Sequence, residues 1–217
     1  MRRFDPRIRL PKLATRYFPN ALWRLPENEK KVALTFDDGP VPEVTPWVLN
    51  LLKEENIKAC FFCVGENVER HPELYQQIIA NGHQVGNHTF NHLQGLKTPD
   101  EAFLANVEKA ATYVDSKFMR PPHGWLRKSQ YRELTKDYEV VMWDLISRDY
   151  KEKTSPKAVV SNVMNFVRPG SIIIFHDSVK AQKNLRPALP VVIKKLKEEG
   201  YQFTLLPEKG KQKTDKH

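Results

Sequence analysis

Cysteine is scarce: Cys60 and Cys63 are the only two in a chain of 217 residues, so no disulfide framework can organise the fold. Their C-x-x-C spacing invites a redox or zinc reading. Both, however, lie inside the apolar run Ala59–Val64, where positions three apart on a strand point to opposite faces. Buried free thiols are therefore expected. Long apolar runs are missing as well. Stretches such as that around Ser171–Phe175 extend only a few residues, far short of the about 20 that a membrane-spanning helix needs, which suits a soluble domain. The start, Met1–Pro6, carries positive charge with no apolar segment behind it, because Pro6, Pro11, Pro19 and scattered arginines break up the adjoining stretch of chain. It shows no cleavable export signal, and the expected compartment is the cytoplasm. There is no Gly-rich phosphate loop, zinc-finger spacing or basic motif interleaved with aromatics, so nucleic acid is not the expected partner.

Acidic residues are also outnumbered, 26 Asp and Glu against 35 Lys and Arg, for a formal net charge of +9. Much of the excess sits at the ends, in the arginine-rich first 24 residues and in four lysines between Lys209 and Lys216. Such charge favours encounters with polyanions, among them an acidic cell-wall polymer or an anionic envelope surface. A solvated basic surface without a specific partner is the plainer alternative. The length suits one domain with a sizeable core and leaves the oligomeric state open.

From Lys31 onward, short apolar runs alternate with helical patterns, without internal repeat or long linker. Strands are expected at Val32–Phe36, Ala59–Val64, Gln84–Asn87, near Phe118, at Glu139–Trp143, at Ser171–Phe175 and at Tyr201–Leu205. Helices are expected over 44–55, 72–81, 98–116, 128–136, 155–167 and 185–199, with Thr98 as N-cap and Pro99 at the first helical position of the third. Strand followed by helix some seven times implies an α/β fold with a mainly parallel sheet and outer helices. Residues 1–26 read as an N-terminal strap or extension, 27–206 as the single folded domain, and 207–217 as a basic, disordered tail.

The chemistry gathers at strand ends. Thr35-Phe36-Asp37-Asp38-Gly39-Pro40 places two carboxylates where a buried strand meets a turn, the edge at which parallel α/β folds build ligand sites; alternatively, the pair caps the turn. His88-Thr89-Phe90-Asn91-His92 offers imidazoles at i and i+4, able to reach one metal ion from one face of a turn, or else a surface pair. One carboxylate and two imidazoles would leave open positions, as a catalytic metal site requires. Arg120-Pro121-Pro122-His123-Gly124 can orient a carboxylate and offer backbone N–H groups to an oxyanion. Arg148-Asp149-Tyr150 and Ile174-Phe175-His176-Asp177 follow two later strands. A histidine there suits a general acid, and an aspartate beside it would raise its pKa and fix its tautomer. Singly, Asp149 reads as a surface charge and His176 as an ordinary polar strand end.

Together, TFDDGP at 35–40, HTFNH at 88–92, RPPHG at 120–124, RDY at 148–150 and IFHD at 174–177 resemble, in this order, the polysaccharide deacetylase superfamily, carbohydrate esterase family four, related to the nodulation chitooligosaccharide deacetylase. The resemblance spans about Lys31 to Leu206. It implies a distorted (β/α) barrel, commonly of seven parallel strands, and removal of N-acetyl groups from N-acetylglucosamine-containing glycans. It implies Asp38, His88 and His92 as metal ligands, usually for zinc, with Co2+, Ni2+ or Mn2+ as substitutes. Asp37 matches the base, Arg120 the arginine orienting it, His176 the general acid and Asp149 the residue tuning that acid. Ile174 stands where a leucine usually lines the acetyl pocket. His123 replaces a usual aromatic and Tyr150 a usual tryptophan, which bears on the groove wall and on which sugar is accepted. Trp125 is the candidate for stacking on a sugar ring, with Trp47 and Trp143 assigned to core packing. Two other functions fit the sequence. One is a metal-dependent amidohydrolase acting on a small or lipid-linked sugar or a non-sugar amide, which the missing export signal favours. The other is an inactive glycan-binding domain, which has no use for a base and an acid.

Overall fold

A computed structural model of the chain describes residues 5–9, 15–26 and 29–208. The cysteine-poor, Val/Ile/Phe-rich runs become parallel strands buried on both faces, as expected when helices cover a sheet. β1 (Lys31–Asp37) pairs with β2 (Cys60–Cys63) on one side and with β7 (Ile172–His176) on the other. β3 (Gln84–Asn87), β4 (Phe118–Met119) and β5 (Glu139–Val140) extend the sheet beyond β2, and β6 (Leu145–Ile146) extends it beyond β7. These seven parallel strands, in the order β5-β4-β3-β2-β1-β7-β6, curl into an incomplete barrel, and a short β8 (Gln202–Phe203) pairs with the start of β1.

The helices are α1 (Thr45–Glu54), α2 (Gly65–Arg70), α3 (Pro72–Ala80), α4 (Asp100–Ala111), α5 (Lys128–Asp137), α6 (Pro156–Met164) and α7 (Gln182–Glu198). The main core lies between this layer and the sheet, with Phe36, Phe61 and Phe175 stacked across β1, β2 and β7 at centroid distances of 5.0 and 6.1 Å. Cys60 and Cys63 are buried free thiols in separate clusters on opposite faces of β2, and burial pushes both thiols up from their ordinary pKa.

Four details depart from the periodicity. The seventh strand of the barrel is Leu145–Ile146, a two-residue element too short to show a period, whereas the strand expected at 201–205 is only a two-residue addition beside β1. α2 is one and a half turns long and carries no amphipathic signal. α4 starts at Asp100 and stops at Ala111 rather than spanning 98–116: Pro99, at ψ 147°, is its extended N-cap. The Thr98 hydroxyl, expected to cap, instead donates to the Gln94 carbonyl at 2.9 Å. By contrast Ser155, where the helix is expected to open, caps α6, accepting from Ala158 N at 3.2 Å ahead of Pro156.

The barrel's open seam, between β5 and β6, is bridged by the N-terminal segment. Leu22 N donates to Val140 O and Met142 N to Leu22 O, both at 2.8 Å; Leu25 N donates to Gly170 O at 2.9 Å, and Ile146 N to Ile8 O at 2.9 Å. Asp144 pins the same segment, receiving Arg9 Nη2 at 3.1 Å and Arg168 Nε at 3.1 Å, with Arg24 Nε at 3.8 Å. Residues 1–4, 10–14, 27–28 and the tail 209–217, with His217, lie outside the described residues.

Candidate active site

Asp37 is the last residue of β1. Because side chains alternate along a strand, Thr35 and Asp37 share one face, and both meet Arg120. The Arg120 guanidinium is almost wholly buried at 1% exposure. It donates through Nη1 to Asp37 Oδ1 at 2.6 Å and to Thr35 Oγ1 at 2.8 Å, and through Nη2 to Met142 O at 2.9 Å, while its plane lies 4.0 Å from the Phe62 ring centroid. So constrained, it holds the Asp37 carboxylate in one orientation.

Asp38 has left the strand, with φ +80°, and turns its carboxylate toward the loop after β3. Its Oδ1 lies 3.2 Å from His92 Nε2 and 3.7 Å from His88 Nε2. One ligand atom from each of the three residues falls within 4.8 Å of the others. A tetrahedral zinc site with arms of about 2.0–2.1 Å has edges of about 3.4 Å, so the spacing suits a divalent ion. The donors are prepared for it. His88 Nδ1 lies 2.7 Å from Arg120 O; as the donor there it leaves Nε2 free as a ligand, the usual backing for a metal-bound imidazole. Burial lowers the His88 pKa to about 4, keeping the ring neutral. Burial opposes ionisation of Asp38, but the His92 hydrogen bond and the charge of His176 outweigh it and hold this carboxyl well below the usual range.

His176 ends β7, in register with Asp37 on β1. Asp149, fully buried, accepts from His176 N at 2.8 Å and sits 2.8 Å from His176 Nδ1. Burial alone would lower the pKa of His176; the charge and hydrogen bond of Asp149, with Asp38 and Asp37 nearby, reverse this and raise it to about 9. The imidazole is therefore a protonated acid at neutral pH, with Nε2 available. Asp149 is in turn held by Ser147 Oγ, which accepts from its N–H at 3.3 Å, and by Asn184 Nδ2, which donates to its carbonyl at 2.8 Å.

These groups face a cavity of about 610 Å³ whose wall includes Asp37, Asp38, His88, His92, Arg120 and His176. All four expected groove residues line it too. His123 has φ +61° and its ring lies edge-on to His92 at 4.9 Å; Ile174 is buried; Tyr150 stands 4.6 Å from His176; and Trp125 is 54% exposed. Trp47 stays outside the site, half-buried beneath Arg186. Trp143 does both: half-buried, it packs against the core cluster of Met119, Leu126 and Met142 as expected, and it also forms part of the cavity wall, because Gly124, at φ +71°, lets its ring approach to where a Cβ would be only 2.2 Å away. A larger cavity, about 1020 Å³, opens at the N-terminal ends of β3 to β5 and contains none of these residues.

Sequence reasoning missed the supporting residues. Thr35 was findable, being polar, inward-facing and two positions before Asp37. Thr45 and Asp177 were not, since only the fold brings them together: the Thr45 hydroxyl donates to Asp177 Oδ2 at 2.6 Å and accepts from Val41 N at 2.8 Å, securing the loop after Asp38. Burial raises the Asp177 pKa to about 8, which keeps this carboxyl neutral and in contact with Gly39. The cost of the arrangement shows in the backbone. Of the six described non-glycine residues at positive φ, five (Asp38, Thr89, His92, His123 and Arg148) belong to the site loops, each carrying about 1–3 kcal/mol of strain.

Comparison with known proteins agrees with this geometry. Residues 24–143 match the family described as polysaccharide deacetylase. A peptidoglycan-N-acetylglucosamine deacetylase of Bacillus cereus is 32% identical over 194 residues, 86% of this chain and 91% of that protein. A chitooligosaccharide deacetylase of a Bradyrhizobium species is 33% identical over 156 residues, 68% of this chain and 71% of the other. Among solved structures, a peptidoglycan N-acetylglucosamine deacetylase in complex with a naphthyl N-hydroxybenzamide superposes with a TM-score of 0.82 at 32% identity, covering 87% of this chain and 91% of that one.

Proposed function

The chain belongs to the polysaccharide deacetylase family, and from that premise we propose that it hydrolyses the N-acetyl groups of N-acetylglucosamine-containing glycans, peptidoglycan or chitooligosaccharide-like, releasing acetate and a free amino sugar. The observation that carries the reading is one cavity holding two oppositely prepared groups, a carboxylate clamped by Arg120 and an imidazolium sustained by Asp149. An amide hydrolase needs both. Water must lose a proton to attack the carbonyl carbon, and the departing amine must gain one.

Asp38, His88 and His92 would hold the divalent ion, with zinc favoured by a set of two imidazoles and one carboxylate, and Co2+, Ni2+ or Mn2+ as substitutes. Bound there, the ion supplies Lewis-acid polarisation and a lower pKa for water. This chain's own residues do the rest. Asp37 accepts the proton of the attacking water and Arg120 keeps its free oxygen aimed at it. The backbone N–H of His123 contributes to the oxyanion site, its residue already locked at positive φ. His176 delivers its proton from Nε2 to the leaving nitrogen. Ile174 offers an apolar wall to the acetyl methyl, and Trp125 and Tyr150 offer faces to sugar rings.

The test is acetate release from N-acetylglucosamine oligomers and from peptidoglycan by wild type and Asp37→Asn, with the metal content of both measured. Turnover by the metal-loaded wild type, and its loss in a variant that still binds metal, is the expected result. A metal-loaded wild type that binds these glycans without releasing acetate overturns the reading in favour of a binding domain.

A further inference from the structure

The groove does not end at the reaction centre. The catalytic cavity shares Arg7, Ile8, Tyr150, Lys151 and Lys180 with a neighbouring cavity of about 540 Å³. Tyr150 stands at the junction: its ring centroid is 4.6 Å from that of His176 and 5.2 Å from Lys151 Nζ, so the second compartment begins one ring's width from the acid.

Its lining is cationic. Arg148, Lys151, Lys153 and Lys180 share the lining with two carboxylates, Glu152 and Asp5, and Asp5 is engaged by Arg7 at 2.7 Å while also feeling the Arg148 charge. Among the described residues none of these four cations has a carboxylate within ion-pair distance, whereas Lys197, elsewhere on the barrel, is paired with Glu55 at 2.6 Å. Four unpaired cations around one concavity repel one another unless an anion joins them. Three are lysines, whose compact ammonium groups on flexible stems can converge on a charge that varies in position. Nor does the compartment belong to the barrel alone, since Arg7 comes from the N-terminal segment that bridges the seam.

We propose that this compartment is a subsite for a carboxylate carried by the glycan next to the N-acetyl unit undergoing hydrolysis, and that it makes acidic, muramic acid-containing strands better substrates than neutral chitooligosaccharides. The inference rests on the deacetylase reading above and adds a substrate class to it. Two sources supply such a charge. In a bare strand it is the lactyl carboxylate of muramic acid. In a peptide-bearing strand that carboxyl is consumed in an amide, and the charge moves to the carboxylates of the stem.

The experiment compares wild type with the triple variant Lys151→Glu, Lys153→Glu, Lys180→Glu on four substrates: N-acetylglucosamine tetramer, an N-acetylglucosamine–N-acetylmuramic acid tetrasaccharide with free lactyl acid, its neutral methylamide, and the peptide-bearing form. The readout is the ratio of kcat/KM on each acidic substrate to that on the neutral tetramer. In wild type this ratio exceeds one, and it falls as salt rises from about 0.05 to about 0.5 M because the attraction is screened. In the variant it drops at least about tenfold, through KM rather than kcat. Preference for the free acid over its amide assigns the lactyl group; preference for the peptide-bearing form alone assigns the stem. Equal rates on acid, amide and peptide forms, or an unchanged ratio in the variant, overturn the proposal. If wild type releases acetate from nothing, the deacetylase reading fails separately, and equilibrium binding decides the subsite: tighter binding of the acid than the amide by wild type but not by the variant supports it, and equal binding by both overturns it.

Discussion

Replacing Asp149 with asparagine tests the acid half of the site while nearly preserving its shape. In the native arrangement burial pulls the His176 pKa down, and Asp149, hydrogen-bonded at 2.8 Å to Nδ1, is the leading group that pushes it up to about 9. The asparagine removes that charge and leaves the burial, with Asp38 and Asp37 still nearby, so the imidazole should titrate back toward its ordinary 6.5. A full return is a change of about 2.5 pH units, or about 3.4 kcal/mol at about 1.36 kcal/mol per unit. The sign follows from the role. An acid must be protonated, so activity is present below the pKa and lost above it. At pH 8 the protonated fraction falls from about 0.9 to about 0.03, a loss of about thirtyfold in kcat/KM; at pH 5.5 wild type and variant converge. A metal ion displaces the alkaline limb of both proteins in the same direction, so the separation between the two limbs is the quantity to read. The assay is acetate release on a fixed oligosaccharide from pH 5 to 10, with metal content confirmed in each variant. A uniform loss at every pH, with the alkaline limb unmoved, would refute the reasoning and make Asp149 a purely steric support.

Three other outcomes are expected. Arg120→Met strips a buried carboxylate of its counter-charge and leaves two carbonyls without a donor, so the fold should lose about 3–5 kcal/mol in urea unfolding along with activity; a loss below about 1 kcal/mol contradicts the burial and hydrogen bonds described. Asp38→Ala removes one of three donors, and elemental analysis of the purified protein should show metal content collapsing while the far-ultraviolet circular dichroism spectrum is kept. Chelation of wild type should abolish turnover, and re-addition of Zn2+ should restore it. Asp144→Asn weakens the anchor for Arg9, Arg24 and Arg168, so limited proteolysis should attack the N-terminal segment sooner and thermal unfolding should come earlier, with the metal-binding stoichiometry unchanged.

The parts of the fold that the sequence made legible are those in which one physical signal dominates. β1, β2 and β7 are continuous apolar runs that could satisfy their backbones only inside a sheet, and β1 and β7 each end on a residue of the site. Asp37 and Asp38 therefore stood out as site candidates by position, with turn capping as the alternative, whereas His176 read singly as an ordinary polar strand end and gained its role only from the resemblance carried by all five segments. His88 and His92 declared themselves by spacing. Elements set by tertiary demand stayed hidden: β6 has two residues and no period, and α4 begins where Pro99 is extended rather than where Thr98 offers a hydroxyl. Trp143 reads as core in any one-dimensional pattern, and only the missing Cβ of Gly124 brings it to the cavity. Pairing between distant positions, as in Thr45 with Asp177 or Leu22 with Val141, leaves no periodic trace.

The bridged seam also governs the order in which this molecule can be made. Its partners stand far apart along the chain: Ile8 with Ile146, Leu22 with Val140 and Met142, and Leu25 with Gly170. During synthesis from the N-terminus, the first of these segments must wait until most of the polypeptide has emerged, and such long-range closures are the slow and exposed ones. Until then both margins of the sheet carry unpaired peptide groups, a template for association with other chains. A segment that precedes every barrel strand along the chain is thus among the later ones to find its place. Refolding yield at rising protein concentration should depend on residues 8–25 more steeply than the stability of the finished barrel does.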